Sequence, residues 1–135
     1  MKRNKNIARS FGEALDYLNN LEYSKAKSKF SLIIAKTNNE IIIEECHFYR
    51  AISNFHLKRF HNKNGFFVDL KAVDHDHFKR SFLFLLNLYT GISYESAFIS
   101  IENSLKKEPY KLSQYKNLLI HLPIEFQIIF KIRFN

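Results

Sequence analysis

Histidine and aspartate are concentrated in one short stretch of the chain, DHDHF at residues 74–78. Imidazole nitrogens and carboxylate oxygens are common metal ligands, so this stretch is the first candidate for a metal site. His75 and His77 are two positions apart and would point in different directions on a helix, and the H-E-x-x-H zinc spacing is absent. Asp74 and Asp76 have the positions of helix caps. Because nothing supplies three or four converging ligands, the sequence predicts no metal.

Arg50 and His56, in the sequence RAISNFH, are a second pair that could do chemistry. They are six positions apart on a predicted helix, which is about 600° of rotation and leaves their side chains on different faces. Their spacing resembles that of the HEPN ribonuclease family, all-α proteins of similar size in which four to six residues separate an arginine from a histidine. Ala51 stands where that family usually has a polar residue.

The HEPN resemblance implies that His56 is a general base, that Arg50 steadies phosphate charge and that dimerisation completes the site. The basic composition of the chain fits an RNA substrate. RNA cleavage is therefore kept as an alternative function. If the two residues have no catalytic role, we expect Arg50 to lie in solvent and His56 at the edge of a groove.

Other signatures of enzymes are missing from the sequence. There is no Gly-rich phosphate loop, no nucleophile elbow with a Ser/His/Asp arrangement and no cofactor fingerprint. Glu44 and Glu45 are adjacent carboxylates of the kind found on a solvated helix surface. The sequence therefore predicts a protein that is not an enzyme and that needs no cofactor.

Charge and cysteine content limit the partners and the compartment. The net charge is +8, from 21 Lys and Arg against 13 Asp and Glu, without a block of five or six like charges. This favours a protein partner with an apolar or acidic segment, with nucleic acid as a second possibility. Cys46 is the single cysteine, which permits a reducing compartment such as the cytoplasm or an organelle stroma. No stretch approaches the ~20 apolar residues that span a bilayer.

Helices must position all of these residues. Only 3 Gly and 2 Pro occur in 135 residues, too few turn-formers for a many-stranded sandwich or barrel. Apolar residues recur at helical spacing, which predicts an all-α single domain of seven or eight short helices. The predicted helices are residues 5–20, 23–36, 40–57, 60–72, 75–90, 94–107, 110–120 and the tail from 123.

The C-terminal tail, LPIEFQIIFKIRFN, has two interpretations. Its apolar residues alternate as they would in a strand. They also form two ladders with the four-residue spacing of a helix, Phe126–Phe130–Phe134 and Ile124–Ile128–Ile132. No second convincing strand is available for pairing, so we predict a helix.

One spacing pattern occurs twice in the chain. LEYSKAKSKF, around Tyr23, and YESAFISI, from Tyr94, both place an alanine three positions and an apolar residue seven positions after the tyrosine. Their separation is close to two periods of ~34 residues. A middle copy would begin at Phe60, with Lys63 at the alanine position and Gly65 inside the helix. An amphipathic helix precedes each copy.

These segments resemble the tetratricopeptide repeat family over roughly residues 5–109. The resemblance implies three antiparallel helix hairpins stacked into a superhelix, with residues 110–135 as capping helices. Ala26 and Ala97 are small where the second helix of a hairpin would approach the first. Lys63 departs from this pattern, because its charge must reach water.

The resemblance also implies a concave groove lined by the first helix of each hairpin. Such a groove would bind an apolar segment of another protein, as an adaptor, scaffold, chaperone or complex-assembly factor does. A basic accessory subunit of a larger complex is a further alternative, and the same residues could instead pack hairpin against hairpin. The expected groove residues are Phe11, Leu15, Phe48, Ile52, Phe55, His56, Lys79, Phe82, Leu86 and Tyr89.

Overall fold

A computed structural model describes residues 2–87 and 93–134, and every regular element within them is a helix. The all-α prediction is therefore confirmed. The chain forms two compact units, Met1–Asp74 and His75–Asn135, called unit 1 and unit 2 below. The single-domain organisation stays a prediction. Within the described residues, no helix combines the length and apolarity needed to cross a bilayer.

In unit 1, the described residues form four helices. They are α1 (Lys2–Asn19), α2 (Tyr23–Lys36), α3 (Glu40–His56) and α4 (Phe66–Ala72). Each packs against the next along the chain. The link between α1 and α2 has only three residues, so α2 runs back along α1. The predicted bounds of 23–36 are correct for α2.

Aromatic rings fill the centre of unit 1. Phe30 of α2 is fully buried and stacks on Tyr49 of α3, with 5.6 Å between ring centroids. Phe11 of α1 meets both rings edge-on. Edge-on and stacked pairs of this kind stabilise a core beyond the area they bury. The three rings therefore fix α1, α2 and α3 to one another.

Two helices of unit 1 end in the same way, with a residue in the left-handed conformation. After α1, Leu21 has φ 62°, and Glu22 N–H donates to Tyr17 C=O. After α3, Lys58 has φ 59°, and the following N–H, that of Arg59, donates back five residues to the Asn54 C=O. These bonds define a Schellman motif, in which glycine usually occupies the left-handed position.

Glycine at either left-handed position should stabilise the protein. Leu21→Gly and Lys58→Gly are each expected to raise the free energy of unfolding by about 0.5–1 kcal/mol, because glycine removes the Cβ clash. Both side chains are exposed, so little burial is lost. Urea unfolding measures the change. Asn20→Gly is the control, since Asn20 is not in the left-handed region; an equal gain there would contradict this explanation.

The segment between α3 and α4 is not helical. Residues 57–65 form turns, in which Phe66 N–H donates to the Arg59 C=O at 2.8 Å. A Cβ on Gly65 would lie 2.9 Å from that same carbonyl oxygen, so only glycine fits this approach. The predicted helix 60–72 is thus reduced to α4, and Phe60 and Lys63 precede it. The middle copy of the repeat has no helix over its first half.

The described residues of unit 2 form five helices. They are α5 (His77–Leu86), α6 (Tyr94–Lys107), α7 (Lys111–Gln114), a 3-10 helix (Lys116–His121) and α8 (Ile124–Arg133). α5 packs against α6. The predicted seventh helix is divided into α7 and the 3-10 helix, with Tyr115 between them. The tail is helical, as predicted.

Candidate functional site

Asp69 of α4 is the centre of a buried polar network in unit 1. Its side chain has no exposed surface. Arg50 of α3 donates from Nε to both carboxylate oxygens, at 2.9 and 3.1 Å, and from Nη2 to Oδ1 at 2.7 Å. This bidentate geometry is the strongest arrangement for an arginine–carboxylate pair.

Two further side chains of α3 complete the shell around Asp69. His47 places Nδ1 2.8 Å from Oδ1, and Asn54 donates from Nδ2 to Oδ2 at 2.8 Å. Because His47, Arg50 and Asn54 are three and four positions apart, they project from one face of α3. The carboxylate is therefore saturated with donors, as a buried charge requires.

The network joins three helices of unit 1. Arg50 Nη1 donates to the Ser31 Oγ of α2 at 3.1 Å, while its remaining bonds reach α4. Lys27, one turn before Ser31, has its pKa lowered by burial and by the nearby charges of Arg59 and Arg50. With its charge matched and its oxygens occupied, Asp69 has the environment of a structural ion pair.

Arg50 and His56, the catalytic pair of the alternative RNA-cleaving function, have different partners. Arg50 is 4% exposed and bound to Asp69, which corrects the interpretation that placed it in solvent. The ring of His56 stacks on Tyr23, with 4.4 Å between centroids and 9° between planes. RNA cleavage stays a prediction, and the contacts of Arg50 do not favour it, since its guanidinium is already engaged.

Asp69 is not among the site residues predicted from the sequence. A signal was available, because His47, Arg50 and Asn54 recur with helical spacing on a helix whose other faces are largely apolar. A polar stripe on such a helix indicates a buried partner of opposite charge. Nothing in the sequence says which acidic residue supplies it.

Unit 1 also has an apolar groove between α1 and the start of α3. Its volume is about 500 Å³. Ile41, in the first turn of α3, is 75% exposed at this groove. The Asn39 side chain caps α3 by accepting from the Ile41 and Ile42 N–H groups, at 3.0 and 3.1 Å. The lining residues are Ile7, Ala8, Phe11, Thr37, Asn39, Ile41, Ile42 and Glu45.

The residues predicted to line a concave groove have three kinds of environment. Phe11 lines the observed groove. Leu15, Phe55 and His56 are half-buried. Tyr89 lies outside the described residues. The other five are buried, an environment of core residues and not of an open binding surface: Phe48, Ile52, Lys79, Phe82 and Leu86. Partner binding by the set stays a prediction.

A second buried charge cluster lies in unit 2. Asp76 caps α5 by accepting from the Lys79 N–H at 3.1 Å, and its Oδ2 lies 2.9 Å from Lys111 Nζ and 3.3 Å from Lys79 Nζ. Burial raises the pKa of Asp76, but the hydrogen bond and charge of Lys111, with those of Lys79, outweigh it and hold that pKa below its usual value. The cluster ties α7 to the start of α5.

Comparison with known proteins gives no assignment. No family model matches the chain, and no curated protein and no solved structure resembles it significantly.

Proposed function

We propose that the chain is a non-enzymatic protein-interaction module, an adaptor, chaperone or assembly factor, whose groove in unit 1 binds an apolar segment of another protein. The exposure of Ile41 at this groove is the observation that carries the proposal. A contiguous exposed apolar patch, such as the lining of this groove, is typical of an interaction site, and Ile41 exposes three-quarters of its surface there. Its complete burial by a partner would contribute about 1–2 kcal/mol.

The size and lining of the groove favour an amphipathic helix as the bound segment. A volume of about 500 Å³ accommodates a few large side chains, not a whole domain. Apolar residues at one-turn intervals on a helix would reach Ile7, Phe11 and Ile42 together. The net charge of +8 favours a segment with acidic flanks, because opposite charges speed and orient the encounter.

The tetratricopeptide-type arrangement of hairpins belongs to this proposal. Its support is the burial of the repeated small and apolar positions: Ala26 and Phe30 in α2, and Ala97 and Ile101 in α6, are all within 2% of complete burial. Each of these helices packs against the helix before it in the chain. The non-helical residues 57–65 interrupt the series, so the proposal concerns hairpins and not an uninterrupted superhelix.

A peptide-display experiment tests the groove. Peptides of about 15 residues selected on the intact protein should share apolar residues at helical spacing, and acidic flanks. Ile41→Glu should weaken the selected peptides at least tenfold, about 1.4 kcal/mol, since it places a charge where an apolar side chain docks. Fluorescence anisotropy measures the affinities.

Ile99→Glu is the matched control. Ile99 is 51% exposed on α6, outside the groove, so this variant adds the same charge without touching the binding surface. Equal weakening by both variants would contradict the groove assignment. If no peptide is selected at all, the groove proposal fails and the basic accessory subunit becomes the better interpretation.

A further inference from the structure

α8 has apolar side chains on two opposite sides. Phe126 and Phe130 are 5% and 3% exposed, and both contact the buried ring of Phe98 on α6. The second ladder faces away from this contact: Ile124, Ile128 and Ile132 are 69%, 53% and 76% exposed. A helix that is apolar on both sides is normally packed on both sides.

The four-residue spacing of the exposed isoleucines fits cover by another helix. Side chains at four-residue intervals form a ridge, and two such ridges interdigitate in the commonest class of helix packing. A second copy of the chain presents an identical ridge. We propose that two copies pair through α8 about a two-fold axis that passes beside Ile128.

Charges beside the ridge select one of the two possible symmetries. Glu125 and Lys131 are both exposed and lie on opposite flanks of the isoleucine ridge, by helical geometry. If the two copies of α8 run in the same general direction, Glu125 of one copy shares a flank with Lys131 of the other. Opposite directions would instead group like charges on each flank, which is unfavourable. The parallel arrangement is therefore the one proposed.

Arg133 is directed away from this ridge. It lies over the Phe98 ring, with 5.4 Å from its guanidinium carbon to the ring centroid, and its Nη2 is 3.6 Å from the Glu102 carboxylate of α6. These contacts keep its charge on the Phe98 side of α8. The ridge thus has one acidic and one basic neighbour on α8, and their charges sum to zero.

The exposed area sets the strength of the dimer. The three isoleucines together expose about as much surface as two whole isoleucine residues. This is well below the ~800 Å² per partner of a standard interface. The dimer is accordingly a weak one, with a dissociation constant in the micromolar range or above.

Disulfide trapping tests the two-fold axis directly. A residue beside the axis meets its own copy, so Ile128→Cys should give a covalent dimer under mild oxidation; packed helices bring such residues within the ~4.4–6.8 Å between Cα atoms that a disulfide needs. The native Cys46 does not compete, since it is buried and burial raises the pKa of its thiol to about 12. Ile99→Cys, 51% exposed on α6, is the control.

Selective cross-linking of Ile128→Cys supports the proposal, and absence of cross-linking, or equal cross-linking of Ile99→Cys, overturns it. Sedimentation equilibrium of the unmodified chain is the second measurement. Dimerisation should weaken at least tenfold in Glu125→Lys and recover in the charge-swapped Glu125→Lys/Lys131→Glu variant. A monomer at all concentrations up to about 1 mM, at low and high salt, would also overturn the proposal.

Discussion

Asp69→Ala is expected to lower the free energy of unfolding by about 3–5 kcal/mol, the usual cost of breaking a buried ion pair. The substitution removes the carboxylate that accepts three bonds from Arg50 and one from Asn54. It leaves the Arg50 guanidinium, 4% exposed, without its main counter-charge. An unpaired buried charge costs far more than the net worth of the pair, which explains the size of the effect.

Two variants separate charge pairing from the loss of side-chain volume. Asp16→Ala removes an exposed aspartate of α1 and should change stability by less than about 0.5 kcal/mol. Arg50→Met combined with Asp69→Leu removes both charges and should recover much of the stability lost by Asp69→Ala. Urea unfolding followed by circular dichroism measures the totals, and hydrogen exchange in α3 and α4 locates the change. A double variant as unstable as the single one would refute the pairing argument.

Asp76→Ala is expected to cost about 2–4 kcal/mol, the sum of a lost helix cap and a broken, largely buried ion pair. The side chains of Lys79 and Lys111 are 6% and 9% exposed, so both ammonium groups would lose a counter-charge that water cannot fully replace. Glu95→Ala is the control, because Glu95 is 60% exposed in its ion pair with Arg133 and such pairs contribute little. Comparable losses in the two variants would contradict this account.

The Asp76 cluster also predicts the direction of a pH effect. The pKa of Asp76 is below its ordinary value of 3.8 in the folded protein, so the stability it contributes is present above that value and is lost as pH falls through the lower folded pKa. Burial lowers the pKa of Lys111, but bonding to Asp76 and Glu108 outweighs it and raises that pKa above 10.5.

The contribution of Lys111 to stability is therefore present below pH 10.5 and disappears as pH rises through its raised folded pKa.

Unfolding midpoints measured between pH 2 and 7 test the contribution of Asp76. They should fall more steeply at the acidic end for the unmodified chain than for Asp76→Ala. Parallel pH profiles for the two proteins would show that Asp76 does not carry the effect.

Local spacing was sufficient to predict most of the helices. The bounds of α2 and α6 are those that the apolar periodicity indicates, because both helices bury a single stripe. The segment after α3 differs, since its fold depends on the close backbone approach at Gly65 and on Lys58 in a left-handed conformation. Neither feature leaves a periodic pattern in the sequence. The tetratricopeptide-type order of the hairpins is accordingly still a proposal.

The sequence by itself determined the all-α class, the helical nature of the tail, and the two apolar ladders of α8. Only the tertiary structure decided which ladder is covered: the phenylalanines pack on Phe98 and the isoleucines remain exposed. It also decided that Arg50 pairs with Asp69, nineteen positions away. The physical reason is the same in both cases. Helical periodicity is local and can be read along the chain, whereas the partner of a buried face or charge depends on which distant element packs against it.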